Sequence, residues 1–267
     1  MLLVVSMKLF INDPQKTQKC SILFKNLKLF TDSITFRFSN EKMHIQTLDN
    51  GQCCLLDTHI KNTWFTEFVI DPNDFNTISV NTTVIQKVFD TLGSDQSIEM
   101  SLTEDYLQIN FANSDKICDK CFNIPLIDLE TELMEPTSQE SDVDLIMPTK
   151  SFIPLTKQLQ GFSDTLKTEF TEEHIIFEAN SVEGKMTANV DLETDVEHYG
   201  ISEGCNLVQH FGLKYIEIMH SFGGLSSDIN MSFGENQPFH AKYDFTNKEQ
   251  QDGEAYMSFY LAPKVDE

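Results

Sequence analysis

The most reactive side chains in this sequence are six cysteines: Cys20, Cys53, Cys54, Cys118, Cys121 and Cys205. Cys118-Asp119-Lys120-Cys121 has the spacing of half a structural zinc site or of a dithiol redox motif. Zinc would need two further ligands in a comparable pair, and none stands elsewhere in the chain. A redox dithiol opens a helix after a strand, whereas this pair runs into Phe122-Asn123-Ile124-Pro125, which reads as extended. The cysteines are therefore read as reduced thiols, with no metal. There is no Walker-type glycine loop, no H-E-x-x-H pair and no G-x-S-x-G elbow. Neither a catalytic residue nor a cofactor is expected.

The other side chains with binding chemistry are the lysines. The 267 residues carry 19 Lys+Arg against 42 Asp+Glu, a formal charge of −23. Spread evenly, that charge would exclude nucleic acid, because phosphate binding needs local cations. The lysines are not spread evenly. Pro14 to Thr31 holds Lys16, Lys19, Lys25 and Lys28 and no acid. At ~100° per residue, Lys25 and Lys28 lie opposite Leu23 and Leu27. Lys87 lies opposite Ile85, Val88, Phe89 and Leu92, and Lys150 and Lys157 lie opposite Phe152, Leu155 and Leu159. Lys214 stands at the border of a stripe running through Phe211, Tyr215 and Ile218. Two readings remain open. The lysines could solvate four separate helices, or together form one basic surface that phosphate feels within a screening length of ~8 Å.

The elements that must position these lysines come in a repeating order. Phe38-Ser39-Asn40-Glu41-Lys42-Met43-His44-Ile45 is echoed by Phe170 to Phe177 at an offset of 132 residues, and Ile98 to Leu102 by Ile229 to Phe233 at 131. In each half, helical spacing alternates with period-two runs such as Leu107/Ile109/Phe111 and Phe239/Ala241/Tyr243/Phe245. Each half therefore reads as helix, strands, helix, strands, an α+β domain with its helices on one face of largely antiparallel sheet. Between the halves, Leu126 to Asp144 holds seven acids and no Lys or Arg. It is expected to run extended, pinned by Leu126, Ile127, Leu129, Leu133 and Met134. The domains are residues 1–125 and 145–267, with 126–144 as connector. No apolar run approaches the ~20 residues of a membrane span, and the apolar start lacks the basic flank and cleavage site of a secretory signal.

These residues carry a family resemblance. Tyr260-Leu261-Ala262-Pro263-Lys264-Val265-Asp266-Glu267, Thr47-Leu48-Asp49, Phe211-Gly212-Leu213-Lys214-Tyr215 and Leu126-Ile127-Asp128-Leu129-Glu130 resemble segments of the proliferating cell nuclear antigen family of DNA sliding clamps. The order of these segments, followed from about Met7 to the end, is more specific than any one of them. The resemblance implies a homotrimeric ring of two-domain subunits with helices lining a hole for duplex DNA. Lys28, Lys87, Lys157 and Lys214 match the family's inner-face cations, and periodicity adds Lys25 and Lys150 as DNA-binding residues. It further implies a pocket for short peptide motifs of DNA polymerase, flap nuclease and ligase, and an encounter with a clamp loader. The matching partner-binding positions are Leu48, Cys53, Leu55, Met134, Pro238, Tyr260 and Ala262, with Leu133 adjacent. The expected location is the nucleus, or a viral replication compartment if the source is a large DNA virus. The alternative is a subunit of a heteromeric checkpoint-type clamp or a processivity factor that forms no ring. Such a ring would close through edge strands expected near Lys116 to Ile124 and Gly184 to Leu192.

Overall fold

The computed structural model describes residues 7–71, 77–103, 105–113, 119–129, 131–136, 140–246 and 253–264. The chain divides into two compact units. The first takes the chain up to Asn50, then Asp57–Leu133 and a return ending at Tyr256; the second takes Gly51–Leu56, the chain from Met134 to Asn247, and the chain from Met257 onward.

The first unit runs β1 (Met7–Ile11), α1 (Pro14–Asn26), β2 (Ser33–Phe38), β3 (Lys42–Leu48), β4 (Cys54–Lys61), β5 (Glu67–Ile70), β6 (Thr77–Asn81), α2 (Thr82–Phe89), β7 (Gln96–Leu102), β8 (Tyr106–Asn113) and β9 (Lys120–Pro125). Its strands stand in the orders β5-β1-β7-β8-β9 and β4-β3-β2-β6. The second unit runs β10 (Val143–Pro148), α3 (Thr149–Gln160), β11 (Thr165–Phe170), β12 (Ile175–Ser181), β13 (Gly184–Val190), β14 (His198–Ile201), β15 (Leu207–Gly212), α4 (Leu213–His220), β16 (Asp228–Phe233), β17 (Phe239–Asp244) and β18 (Ala255–Leu261). Its orders are β14-β10-β16-β17-β18 and β13-β12-β11-β15. Advancing each strand label of the first unit by nine reproduces the second, so the fold is a duplicated, antiparallel α+β design.

The sequence echoes fall on this repeat. Phe38 pairs with Met43 across the β2–β3 hairpin, and Phe170 pairs with Ile175 across β11–β12. The second echo occupies β7 and β16. One element escapes the helix-first reading: each unit opens on a strand, β1 or β10. Met7, Leu9 and Ile11 alternate inward with the period of a half-buried strand, but five residues are too few to stand out beside a helix.

Local chemistry starts the helices. Asp13 caps α1 by accepting from Lys16 N at 2.9 Å, with Pro14 in the first turn, and Asn81 caps α2 by accepting from Val84 N at 3.2 Å. Packing then orients them. α1 buries Cys20, Leu23 and Phe24, and α2 buries Ile85, Val88 and Phe89. The Phe24 ring lies 4.7 Å from Phe89 and 5.8 Å from Phe36, and Phe89 meets Phe111 at 5.5 Å. In the second unit Phe233 lies 4.5 Å from Phe170 and 4.7 Å from Phe239, while α3 places Phe152 6.4 Å from Phe177.

Two helical assignments are corrected. Lys28 sits in a single 3-10 turn, Leu27–Leu29, after α1 has ended, and Phe211 belongs to β15. The inward stripe of α4 is Leu213, Tyr215, Ile216, Met219 and His220, with Ile218 only half-buried and Leu155 of α3 likewise. A one-residue shift in where a short helix begins rotates its stripe by ~100°, which is why an eight-residue helix is read poorly from spacing. Phe24 is buried against both the Phe36 and Phe89 rings, so Phe24→Ala is expected to cost about 3–5 kcal/mol in equilibrium urea unfolding. Val69→Ala, at an exposed site, should stay within about 0.5 kcal/mol.

Candidate nucleic-acid and partner interfaces

Burial of the apolar stripes leaves the opposite helix faces to the lysines. Across α1, the Leu27–Leu29 turn, α2, α3 and α4 there are eight lysines (Lys16, Lys19, Lys25, Lys28, Lys87, Lys150, Lys157, Lys214) and one acid, Glu217. In a chain with more than two acids per base, the sign of charge is inverted on the helices. Lys28, Lys87, Lys150, Lys157 and Lys214 are exposed. The first four have no ion-pair partner among the described residues. Lys214 Nζ stands 4.6 Å from the centre of the Tyr215 ring, a cation–π contact that steadies it without neutralising it.

Lys25 differs. It is half-buried, and its Nζ lies 3.8 Å from Asp90 Oδ1, just past the end of α2. The pair is partly exposed and weak, but it lowers the net charge presented by α1 and α2. Within the first unit the structure thus leaves Lys28 and Lys87 unpaired and partly neutralises Lys25; within the second it leaves Lys150 and Lys157 unpaired.

The connector is held differently from the expectation. Ile127 N donates to Ser79 O at 2.9 Å, and Arg37 Nη2 donates to the Thr131 carbonyl at 2.8 Å and hydroxyl at 2.5 Å. These polar bonds do the pinning assigned to the apolar residues. Of the apolar residues expected to pin it, Leu126 is half-buried, while Ile127, Leu129, Leu133 and Met134 are exposed. Ile78, Ser79, Leu102, Ile127 and Leu129 line a cleft of about 300 Å³ in the first unit. An exposed apolar row beside a cleft is the signature of a protein-docking surface. Ile127 and Leu129 were absent from the partner positions, although their alternation with acids was the signal.

Among the expected partner residues, Leu48 closes β3 half-buried and Leu133 is exposed, both in the first unit. In the second unit Cys53 and Ala262 are brought together, Ala262 N donating to Cys53 O at 2.8 Å. Tyr260 stacks on His240 at 4.6 Å with the rings 7° apart. Leu55 is buried on β4, so it supplies floor rather than open surface, while Met134 is exposed and Pro238 half-buried. The tail beyond β18 is tied to β15 by Lys264 N donating to His210 O at 2.7 Å. Residues 265–267, Cys118 and Lys116 lie outside the described residues. The expected edges near residues 116–124 and 184–192 correspond to β9 and β13, which stand last in their respective strand orders.

The family models for the proliferating cell nuclear antigen N-terminal and C-terminal domains match residues 15–133 and 137–264. The chain belongs to the proliferating cell nuclear antigen family of sliding clamps. It is 26% identical over 262 residues to "Probable DNA polymerase sliding clamp 2" of Paramecium bursaria Chlorella virus 1, covering 96% of this chain and 90% of that one. It is 22% identical to "Proliferating cell nuclear antigen 1" of Plasmodium falciparum (isolate K1 / Thailand) over 92% of this chain and 93% of the relative. It is also 22% identical to "Proliferating cell nuclear antigen" of Chaetomium thermophilum, over 94% and 97%. Proliferating cell nuclear antigens are non-catalytic scaffolds. Among the described residues no helix is long and apolar enough to cross a membrane. Burial pushes the Cys20 thiol up, as suits a packing residue.

This member of the family carries a buried histidine between its second pair of helices. His220 of α4 is buried, and its Nε2 lies 2.6 Å from Thr156 Oγ1 of α3. That hydroxyl donates to Phe152 O at 2.9 Å, so it accepts from the imidazole. Nδ1 has no hydrogen-bond partner, and a proton there would be buried with no acceptor. Burial, reinforced by the Lys157 charge and opposed by Glu217, lowers His220 from 6.5 to about 4. Between those values the unfolded chain takes up a proton that the folded chain refuses, so the contribution is present above pH 6.5 and is lost as pH falls toward 4. Over pH 7 to 5 the loss is about 2 kcal/mol. Urea unfolding across that range should therefore show a shallower pH slope for His220→Gln, which keeps a donor and cannot titrate; an unchanged slope would refute the assignment.

Proposed function

We propose that this chain assembles as a homotrimeric ring that encircles duplex DNA, slides on it, and tethers DNA polymerase and other replication and repair proteins. The observation that carries this reading is the inversion of charge on the helices of a strongly acidic, duplicated clamp fold. Lysine is a mobile point charge that contacts phosphate without reading sequence. Weak, exchangeable contacts by Lys28, Lys87, Lys150, Lys157 and Lys214 suit sliding; firm contacts would stall it. Lys25 contributes less because Asp90 competes for it.

Ring closure by head-to-tail pairing of β9 with a neighbour's β13 would cap two exposed sheet edges at once. On the first unit Ile127, Leu129 and Leu133 of the connector with Leu48, and on the second unit Met134, Cys53, Pro238, Tyr260 and Ala262, would each offer apolar contacts to the aromatic and aliphatic anchors of short partner motifs. In this reading the protein performs no chemistry itself, meets a clamp loader, and works in the nucleus or in a viral replication compartment. The names of the relatives support the clamp and polymerase parts of it.

Native mass spectrometry combined with polymerase extension on primed circular DNA, with and without a loader, tests ring and function together. A trimer whose stimulation is abolished by Lys28→Glu, Lys87→Glu, Lys157→Glu and Lys214→Glu together supports the reading. Asp90→Asn, which releases Lys25, should raise DNA affinity and steepen its salt dependence. A stable monomer, an obligatory foreign subunit, or unchanged processivity in the charge-reversed protein would overturn it. Separately, Met134→Ala with Tyr260→Ala should weaken a polymerase-derived motif peptide about tenfold or more by fluorescence anisotropy, with the oligomer unchanged; undiminished affinity would place partner binding elsewhere.

A further inference from the structure

β3 and β4 bring together three side chains that the clamp reading does not use. His44, Asp57 and His59 offer ligand atoms that all lie within 4.8 Å of one another. Asp57 Oδ1 is 2.6 Å from His44 Nε2, and Asp57 Oδ2 is 3.0 Å from His59 Nε2. The two imidazoles stack with centroids 4.2 Å apart and planes 13° apart. Asp57 is buried, and the two histidines are largely covered. Around them, Gln46 Nε2 donates to Asp57 Oδ1 at 3.4 Å, the Tyr256 ring lies 5.1 Å from that of His59, and Lys42 Nζ stands 3.0 Å from His59 Nδ1. All of these residues belong to the first unit.

We propose that His44, Asp57 and His59 form a binding site for a divalent transition-metal ion of the zinc class. Two imidazoles and one carboxylate are a donor set of that class, and three protein ligands leave a fourth position for water or for a side chain of a bound protein. A tetrahedral ion held at ~2.0–2.1 Å from each donor requires donor atoms roughly 3.3 Å apart. The two carboxylate contacts are shorter than this and the remaining separation is no longer than 4.8 Å, so small side-chain rotations seat the ion. Asp57 is ready as an anionic ligand. Its two oxygens already face the two imidazole nitrogens, at 2.6 and 3.0 Å.

Lys42 tunes the site. An ammonium can only donate, so its contact with Nδ1 makes that atom the acceptor and leaves the His59 proton on Nε2. Ligation through Nε2 moves that proton to Nδ1 and displaces the lysine, which lowers metal affinity. Removing the ammonium therefore strengthens the site, an effect that a purely structural hydrogen-bond cluster would not produce. The sequence signal was slight: Asp57-x-His59 puts two ligands on one face of a strand, but the third lies on the neighbouring strand and becomes a partner only through pairing.

The test is zinc titration of the full-length protein by isothermal calorimetry, with cobalt(II) absorption as the report on ligand type. The expected result is one ion per chain, a tetrahedral cobalt spectrum without a thiolate charge-transfer band, and a higher Tm with zinc. Affinity should fall at least about tenfold in His44→Gln and in His59→Gln and rise about tenfold in Lys42→Met. Circular dichroism and urea unfolding of each variant without metal separate loss of a ligand from loss of fold. Lack of binding by the wild-type protein, a thiolate band that assigns the ion to the cysteines, unchanged affinity in folded His44→Gln with His59→Gln, or no gain in Lys42→Met would overturn the proposal.

Discussion

A helix packed against a sheet can hide only one stripe of its surface, and which stripe it hides decides what the other face offers. In this protein buried apolar side chains make that choice, led by phenylalanine in α1, α2 and α3. Burying a ring such as Phe24 or Phe152 is worth about 1.5–3 kcal/mol, whereas a partly exposed ion pair such as Lys25–Asp90 is worth under about 1 kcal/mol. Apolar burial therefore sets the rotation of each helix, and the lysines take what remains. Because the unit is duplicated, the same choice is made in each half: α1 and α2 in the first, α3 and α4 in the second.

That geometry changes the meaning of a formal charge of −23. Counterions screen charges beyond ~8 Å at physiological ionic strength, so a phosphate close to a helix face responds to the lysines on that face more than to the total. Among the described residues the acids other than Glu217 fall on strands, loops and the connector. An acidic protein can in this way tolerate DNA at its helices while disfavouring it elsewhere. Asp90 and Glu217 show where even the helices are moderated, Asp90 by pairing with Lys25 and Glu217 by accepting from Gln160 Nε2 at 2.8 Å.

The connector follows a different rule. Its backbone N–H and carbonyl groups find partners in Ser79 and Arg37, so its path is held without burying its apolar side chains. Ile127, Leu129, Leu133 and Met134 remain available at the surface, flanked by carboxylates that keep the segment soluble. Exposed apolar surface and connection are thereby combined in one strip of chain. Glu172 illustrates a similar economy elsewhere: its carboxylate accepts from Gly204 N at 2.8 Å and closes a loop.

The duplication, the α+β class, the strands β7, β8, β13, β17 and β18 and the outward faces of α1, α2 and α3 were legible in the amino-acid sequence, because each depends on spacing along one short segment. Phe38 and Phe170 could be matched by type and offset alone, and Lys87 could be placed by counting around its own helix. What spacing could not decide was anything that depends on a second segment. That Lys25 meets Asp90, that Thr156 receives His220, that polar bonds rather than leucines hold the connector, and that His44 joins Asp57 and His59 are all results of packing or strand pairing. Periodicity acts within a segment and sets which way a side chain faces. Only the tertiary structure decides what it faces, because contact energies between segments are realised only when the chain closes on itself.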